Sequence, residues 1–134
     1  MRAVLRDMIL VPDPRTLPGD PASFAFGLQM LVGPADRSGE ESFGLTVCSP
    51  EWLAARCASG EPVNGLHHVI VDSAGYDERT LRSWLQARIA AVEAASWEGV
   101  AAQLRFLGEW EFEGYRPRTP SRPSDSGCCA SYRQ

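Results

Sequence analysis

From Phe24 the chain alternates: Phe24, Phe26, Leu28, Met30 and Val32 fall on one side of an extended strand, and Ala25, Gly27, Gln29 and Leu31 fall on the other. After Gly33-Pro34 and the turn segment ADRSGEE the alternation resumes, with Phe43, Leu45 and Val47 against Gly44, Thr46 and Cys48. Two runs of period two separated by a turn predict a hairpin with one large apolar face. That face has to be covered by other elements, and the rest of the sequence supplies them.

Residues 2–11 (RAVLRDMILV) are rich in branched side chains, end at Pro12, and read as a further strand. The stretch PDPRTLPGDPAS reads as an ordered or semi-rigid loop. Ser49-Pro50-Glu51 marks a helix start, since serine caps free amides, proline suits the first helical position and glutamate complements the positive end. The helix is expected over 50–58, burying Trp52 or Leu53 with Cys57 and stopping at Gly60. Leu66–Asp72 (LHHVIVD) reads as a fourth strand. The longest helix is expected at about 77–94, with Leu81, Trp84, Leu85, Arg88 or Ile89, and Val92 on one stripe. Ser96 caps another over 97–107, where Trp97, Val100, Ala101, Leu104 and Leu107 share a face and Gly108 is the stop. Residues Glu109–Tyr115 alternate Trp110 and Phe112 against Glu109, Glu111 and Glu113, as in a short closing strand. This order predicts an α+β fold: a mainly antiparallel sheet of four to five strands with three helices packed on one face. Trp52, Trp84 and Trp97 are assigned to its core.

The 134 residues suit one domain, placed at 1–115. Residues 116–134 form a Pro/Ser/Arg-rich tail without large aliphatic side chains, which is expected to be disordered because it cannot offset the entropy of ordering. Every basic residue is arginine, so Schiff-base and P-loop lysine chemistry are excluded. Residues 1–115 carry nine arginines against sixteen carboxylates, a charge of −7, whereas the tail carries +3. An acidic body disfavours nucleic acid and favours a basic protein partner. No run approaches a membrane span and no signal peptide is evident, so a cytoplasmic location is expected.

The candidates for nucleophilic chemistry are Cys48, Cys57, Ser73, His67, His68 and Asp72, none in a recognised catalytic frame. Adjacent His67 and His68 on a strand point to opposite faces and cannot share one metal ion. The cysteines lack metal-ligand spacing, and Cys48 and Cys57 read as small buried free thiols. No catalytic, cofactor or metal site is therefore expected. The features that stand out are acidic: the turn Asp36, Glu40, Glu41, and the closing segment Glu109, Glu111, Glu113 with Tyr115. Such carboxylates either dock a cationic partner or protect an exposed sheet edge from association. Trp110 reads equally as core or as an interface anchor.

The runs FGLQMLVGP (26–34), ESFGLTVCSPEWLA (41–54), HHVIVD (67–72) and SWEGVAAQLRFLGEWEFEGY (96–115), in this order, resemble the bacterial immunity protein 8 family of polymorphic toxin systems. The resemblance rests on a strand ending in V-G-P, an E-S-F strand, a V-C-[ST]-P-x-W-L junction, a histidine-bearing strand and a closing W-E-F, and covers residues 2–115. It implies a non-enzymatic cytoplasmic protein that binds and neutralises a cognate toxin delivered between competing bacteria. The toxin expected is a basic domain, with nucleases among the candidate classes, docked on the acidic residues named above. The competing reading is a non-catalytic ligand-binding or structural accessory domain without a toxin partner.

Overall fold

The computed structural model describes residues 1–12 and 21–110. Five strands and three helices follow in the order β1 (Ala3–Val11), β2 (Ala25–Pro34), β3 (Glu41–Cys48), α1 (Pro50–Ala58), β4 (His68–Ile70), α2 (Glu78–Ala90), α3 (Trp97–Leu104) and β5 (Glu109–Trp110). The fold is α+β, as the pattern of elements predicts.

β2 and β3 form the expected antiparallel hairpin, in a register that sets Phe26 opposite Val47, Leu28 opposite Leu45 and Met30 opposite Phe43. All six side chains are buried. Residues directly opposite in a sheet share a face, so this register gathers the apolar residues of both strands on one side. β1 pairs antiparallel with β2, with an irregularity between Leu5 and Asp7 that restores Met8 to the buried side. The other flank of β3 is divided. Its C-terminal half pairs in parallel with β4 and its N-terminal half antiparallel with β5, which makes the sheet mixed.

The apolar face is covered by α2 and α3. Leu81, Leu85 and Ile89 of α2, with Val100, Ala101 and Leu104 of α3, join the hairpin residues in one buried cluster. Both helices start where serine or aspartate can accept an amide: Asp77 from Thr80, Ser96 from Gly99. Ser49 does more than cap α1. It is fully buried, its Oγ accepts from the amides of Trp52 and Phe24, and its own amide donates to the Phe24 carbonyl, which fastens the start of α1 to the start of β2.

Several sequence expectations are corrected. Trp84 is exposed, because Leu81, Leu85 and Ile89 already form the ridge facing the sheet and Trp84 lies to one side of it. No residue of α1 is buried: Trp52 and Leu53 are half-buried and Cys57 is exposed. β4 is confined to His68–Ile70, since His67 has a φ of 64° and breaks the extended run. α2 ends at Ala90, and Arg2 then takes over, donating to the Ala90 carbonyl and pairing with Glu93 at 3.1 Å. α3 ends at Leu104, and Gly108 lies in a tightly packed place: a Cβ there would lie 3.0 Å from Met30 Cε and 3.2 Å from Phe43 Cβ. Trp97 packs against the core half-buried, as assigned in part. The expected tail 116–134, most of the proline-rich loop, and residues 111–115 of the closing strand lie outside the described residues.

The β2–β3 turn is held by Arg6, whose guanidinium donates to the carbonyls of Pro34, Arg37 and Gly39. Gly33 makes room for this clasp, because a Cβ there would overlap the Gly39 carbonyl oxygen and Arg6 Nε.

Three measurements check this account. Leu85→Ala should destabilise the fold by about 2–5 kcal/mol, as for large core truncations, while Trp84→Ala should fall well below that range; equal urea midpoints for the two would contradict the placement of Trp84. Gly33→Ala should cost about 1–3 kcal/mol through overpacking, and a midpoint equal to wild type would show that the turn does not need the clasp. Asp77, held below the ordinary carboxylate pKa by the Thr80 hydroxyl and amide, supports a third. Its folded pKa is lower than its unfolded one, so its stabilisation is present above the unfolded value of about 4 and is lost as pH falls through the folded value. Asp77→Asn, which keeps a cap acceptor, should make urea stability less dependent on pH below about 4; an unchanged acid slope would refute the assignment.

Candidate functional site

Because Phe26, Leu28, Met30 and Val32 of β2 and Phe43, Leu45 and Val47 of β3 turn toward the helices, the opposite face carries Gly27, Gln29 and Leu31 of β2 and Ser42, Gly44 and Thr46 of β3. The two glycines leave its middle low. The result is a shallow groove of about 660 Å³ bordered by Val11, Gln29, Ser42, Thr46, His68 and Glu109. Gln29 Nε2 donates to Ser42 Oγ across its floor. Ile9 and Val11 of β1 and Ile70 of β4 are exposed on the flanks. This face dips at its centre and is mixed in polarity.

The acidic residues singled out from sequence do not form one patch. Glu109 pairs with Gly44, so it stands on the uncovered face and lines the groove. Glu41 lies about 10 Å away along β3, at ~3.3 Å per residue, and belongs to the helix side, where its carboxylate accepts from Trp97 Nε1. Glu40, Glu41 and Glu98 border a second hollow of about 670 Å³ between the β2–β3 turn and the start of α3. Asp36 is exposed on the same turn beside Arg37, at 3.7 Å. Glu111, Glu113 and Tyr115 lie outside the described residues. Trp110, read as core or anchor, is half-buried and stacks on Phe43 with ring centroids 6.3 Å apart.

Of the residues weighed for catalysis, Cys57 is exposed on α1 and the other five are engaged in the fold. Cys48 is fully buried, and burial pushes its thiol pKa up, away from the thiolate a nucleophile needs. His67 Nε2 donates to the Arg105 carbonyl at 2.6 Å, and this bond together with the Thr46 amide donating to the His67 carbonyl holds the positive φ in place. His68 stacks against Trp52, with centroids 6.5 Å apart. Ser73 Oγ donates to Glu51 at 3.3 Å, and Asp72 accepts from the Ala74 amide in a tight turn. Among the described residues, no group of three or more His, Cys, Asp or Glu is placed to hold a metal ion. No helix among them is long and apolar enough to cross a membrane.

A cleft between the β4 approach, α2 and the end of α3 escapes the sequence reading. Leu66, Trp84, Arg88 and Phe106 surround about 430 Å³, with His67 and His68 shared between this cleft and the sheet groove. The signal was present for Phe106, which sits nine residues after Trp97, half a helical turn away from the Trp97–Leu107 stripe. For Trp84 the clue was a competing ridge of leucine and isoleucine one position away.

The comparisons with known proteins come to one family. The profile of the family described as Immunity protein 8 matches residues 13–115. No curated protein and no solved structure matches the chain. The matched region contains β2 through β5, the aromatic cleft and all of the groove's lining except Val11. With most of its length so matched, this chain belongs to the immunity protein 8 family.

Proposed function

We propose that this chain is an immunity protein that binds a cognate bacterial toxin domain and neutralises it by stoichiometric occlusion, protecting the producing cell and its kin. The observation that carries the reading is the family match across residues 13–115. The geometry supports it in a simple way. Helices cover one face of the sheet, while the other presents a low centre of Gly27 and Gly44, bordered by polar groups and Glu109. Such a face accepts a projecting element of a partner without rearranging the core.

The electrostatics favour a basic toxin. Carboxylates at Asp36, Glu40 and Glu109 are exposed, and the chain carries −4 overall. Against a nuclease, these groups would occupy positions that substrate phosphates otherwise take, and their field would speed encounter at low salt. Glu111, Glu113 and Tyr115 extend the proposed contact set by sequence. Glu41 contributes to it through its place on the turn, although its carboxylate is already engaged by Trp97. The protein acts in this reading as a cytoplasmic binder, with no reaction of its own.

The test is calorimetry of the full chain with the toxin domain encoded beside its gene, at two salt concentrations, together with rescue of growth in cells expressing that toxin. One-to-one binding that weakens with salt, and rescue, are expected. The variant Asp36→Asn/Glu40→Gln/Glu109→Gln should slow association by about tenfold at low salt, with the urea midpoint kept. A folded chain that neither binds nor rescues would return the protein to the accessory-domain reading.

A further inference from the structure

The cleft at Trp84 and Phe106 is unusual for a chain this acidic. Phe106 is 82% exposed, Leu66 54% and Trp84 41%, three large apolar side chains around one depression. Exposed apolar groups scattered singly are ordinary, but a cluster bordering a concavity marks an interaction surface. Trp and Arg are also the residue types that most often dominate binding energy at interfaces. Here they occur as a pair: the Arg88 guanidinium carbon lies 4.8 Å from the Trp84 ring centroid. Among the described residues no carboxylate is paired with Arg88, and none borders the cleft. Its charged and titratable lining is Arg88, His67 and His68.

The rim is fixed before any partner arrives. The Leu66 amide donates to Asn64 Oδ1 at 3.0 Å and the His68 amide to the Gly65 carbonyl at 3.1 Å, so a closed turn presents Leu66 outward. His67 is locked onto the Arg105 carbonyl, which ties that turn to the chain just before Phe106. Groups held in place lose little freedom on binding.

We propose that this cleft is a second contact site for the toxin, taking an apolar side chain of the partner between Trp84, Leu66 and Phe106 and a neighbouring carboxylate of the partner on Arg88. The inference rests on the immunity reading and adds to it a site of opposite polarity to Glu109, the two being joined through His67 and His68. An interface with one negative and one positive anchor admits a partner in one orientation only.

The experiment measures affinity of the full chain and its variants for the toxin domain encoded beside the gene, with urea midpoints for each. Phe106→Ser, at the most exposed position, and Trp84→Ser should each weaken binding by about thirtyfold, and Arg88→Glu should weaken it more than Arg88→Gln. Phe106→Ser should keep the wild-type midpoint, so a loss of affinity there is a loss of contact. Wild-type affinity in both Phe106→Ser and Trp84→Ser would overturn the inference while leaving the immunity reading intact. Loss of self-association on sedimentation, with toxin affinity unchanged, would overturn it in favour of a second copy of this chain. Absence of binding by the wild-type chain would remove the immunity reading and this site together.

Discussion

Met30 lies opposite Phe43, and that pairing sets which way every other side chain of the hairpin faces. A slip of one residue in either strand would carry four apolar side chains of β2 or three of β3 to the solvent side. The register is therefore enforced by the whole helix layer. Gly108 must pass against Met30 and Phe43, Trp110 stacks on Phe43, and the stripes of α2 and α3 close over the same residues. Arg6 and Gly33 fix the register from the turn end, and Ser49 fixes it from the other by binding Phe24.

One consequence of placing seven large apolar residues of the hairpin on the helix side is that, Leu31 apart, its other face is built from small and polar residues. Gly27 and Gly44 do not serve the hydrophobic core; their effect is felt on the uncovered face, where the surface dips. The other consequence lies at the divided edge of β3. Because β4 is short and β5 pairs only the opposite end, the chain around His67 must turn between them, and it carries Leu66 and the two histidines to the border between groove and aromatic cleft. The proposed binding surface thus follows from strand lengths as much as from any particular side chain.

The hairpin was legible in the sequence because period-two patterning reports a half-buried strand directly, and the caps at Ser49 and Ser96 were legible because capping is local chemistry. Trp84 was not, since periodicity identifies a stripe but not which of two adjacent ridges meets the sheet. His67 was hidden because a left-handed residue in a branched run is held by partners distant in sequence, Thr46 and Arg105. The acidic residues were easy to name and hard to group: Glu41 and Glu109 look alike as letters, yet register puts one with Trp97 on the helix side and the other over Gly44.

The central claim is that the partner meets the uncovered sheet face and the aromatic cleft beside it, touching α2 only at Trp84 and Arg88 and leaving the outer face of that helix outside the complex. A structure of the full chain bound to the toxin domain encoded beside its gene tests this directly. The account predicts toxin atoms against Gly27, Gly44 and Glu109 and between Trp84 and Phe106. A toxin seated instead on the exposed outer residues of α2, such as Arg79, Ser83 and Gln86, with the groove and cleft open to solvent, would contradict it.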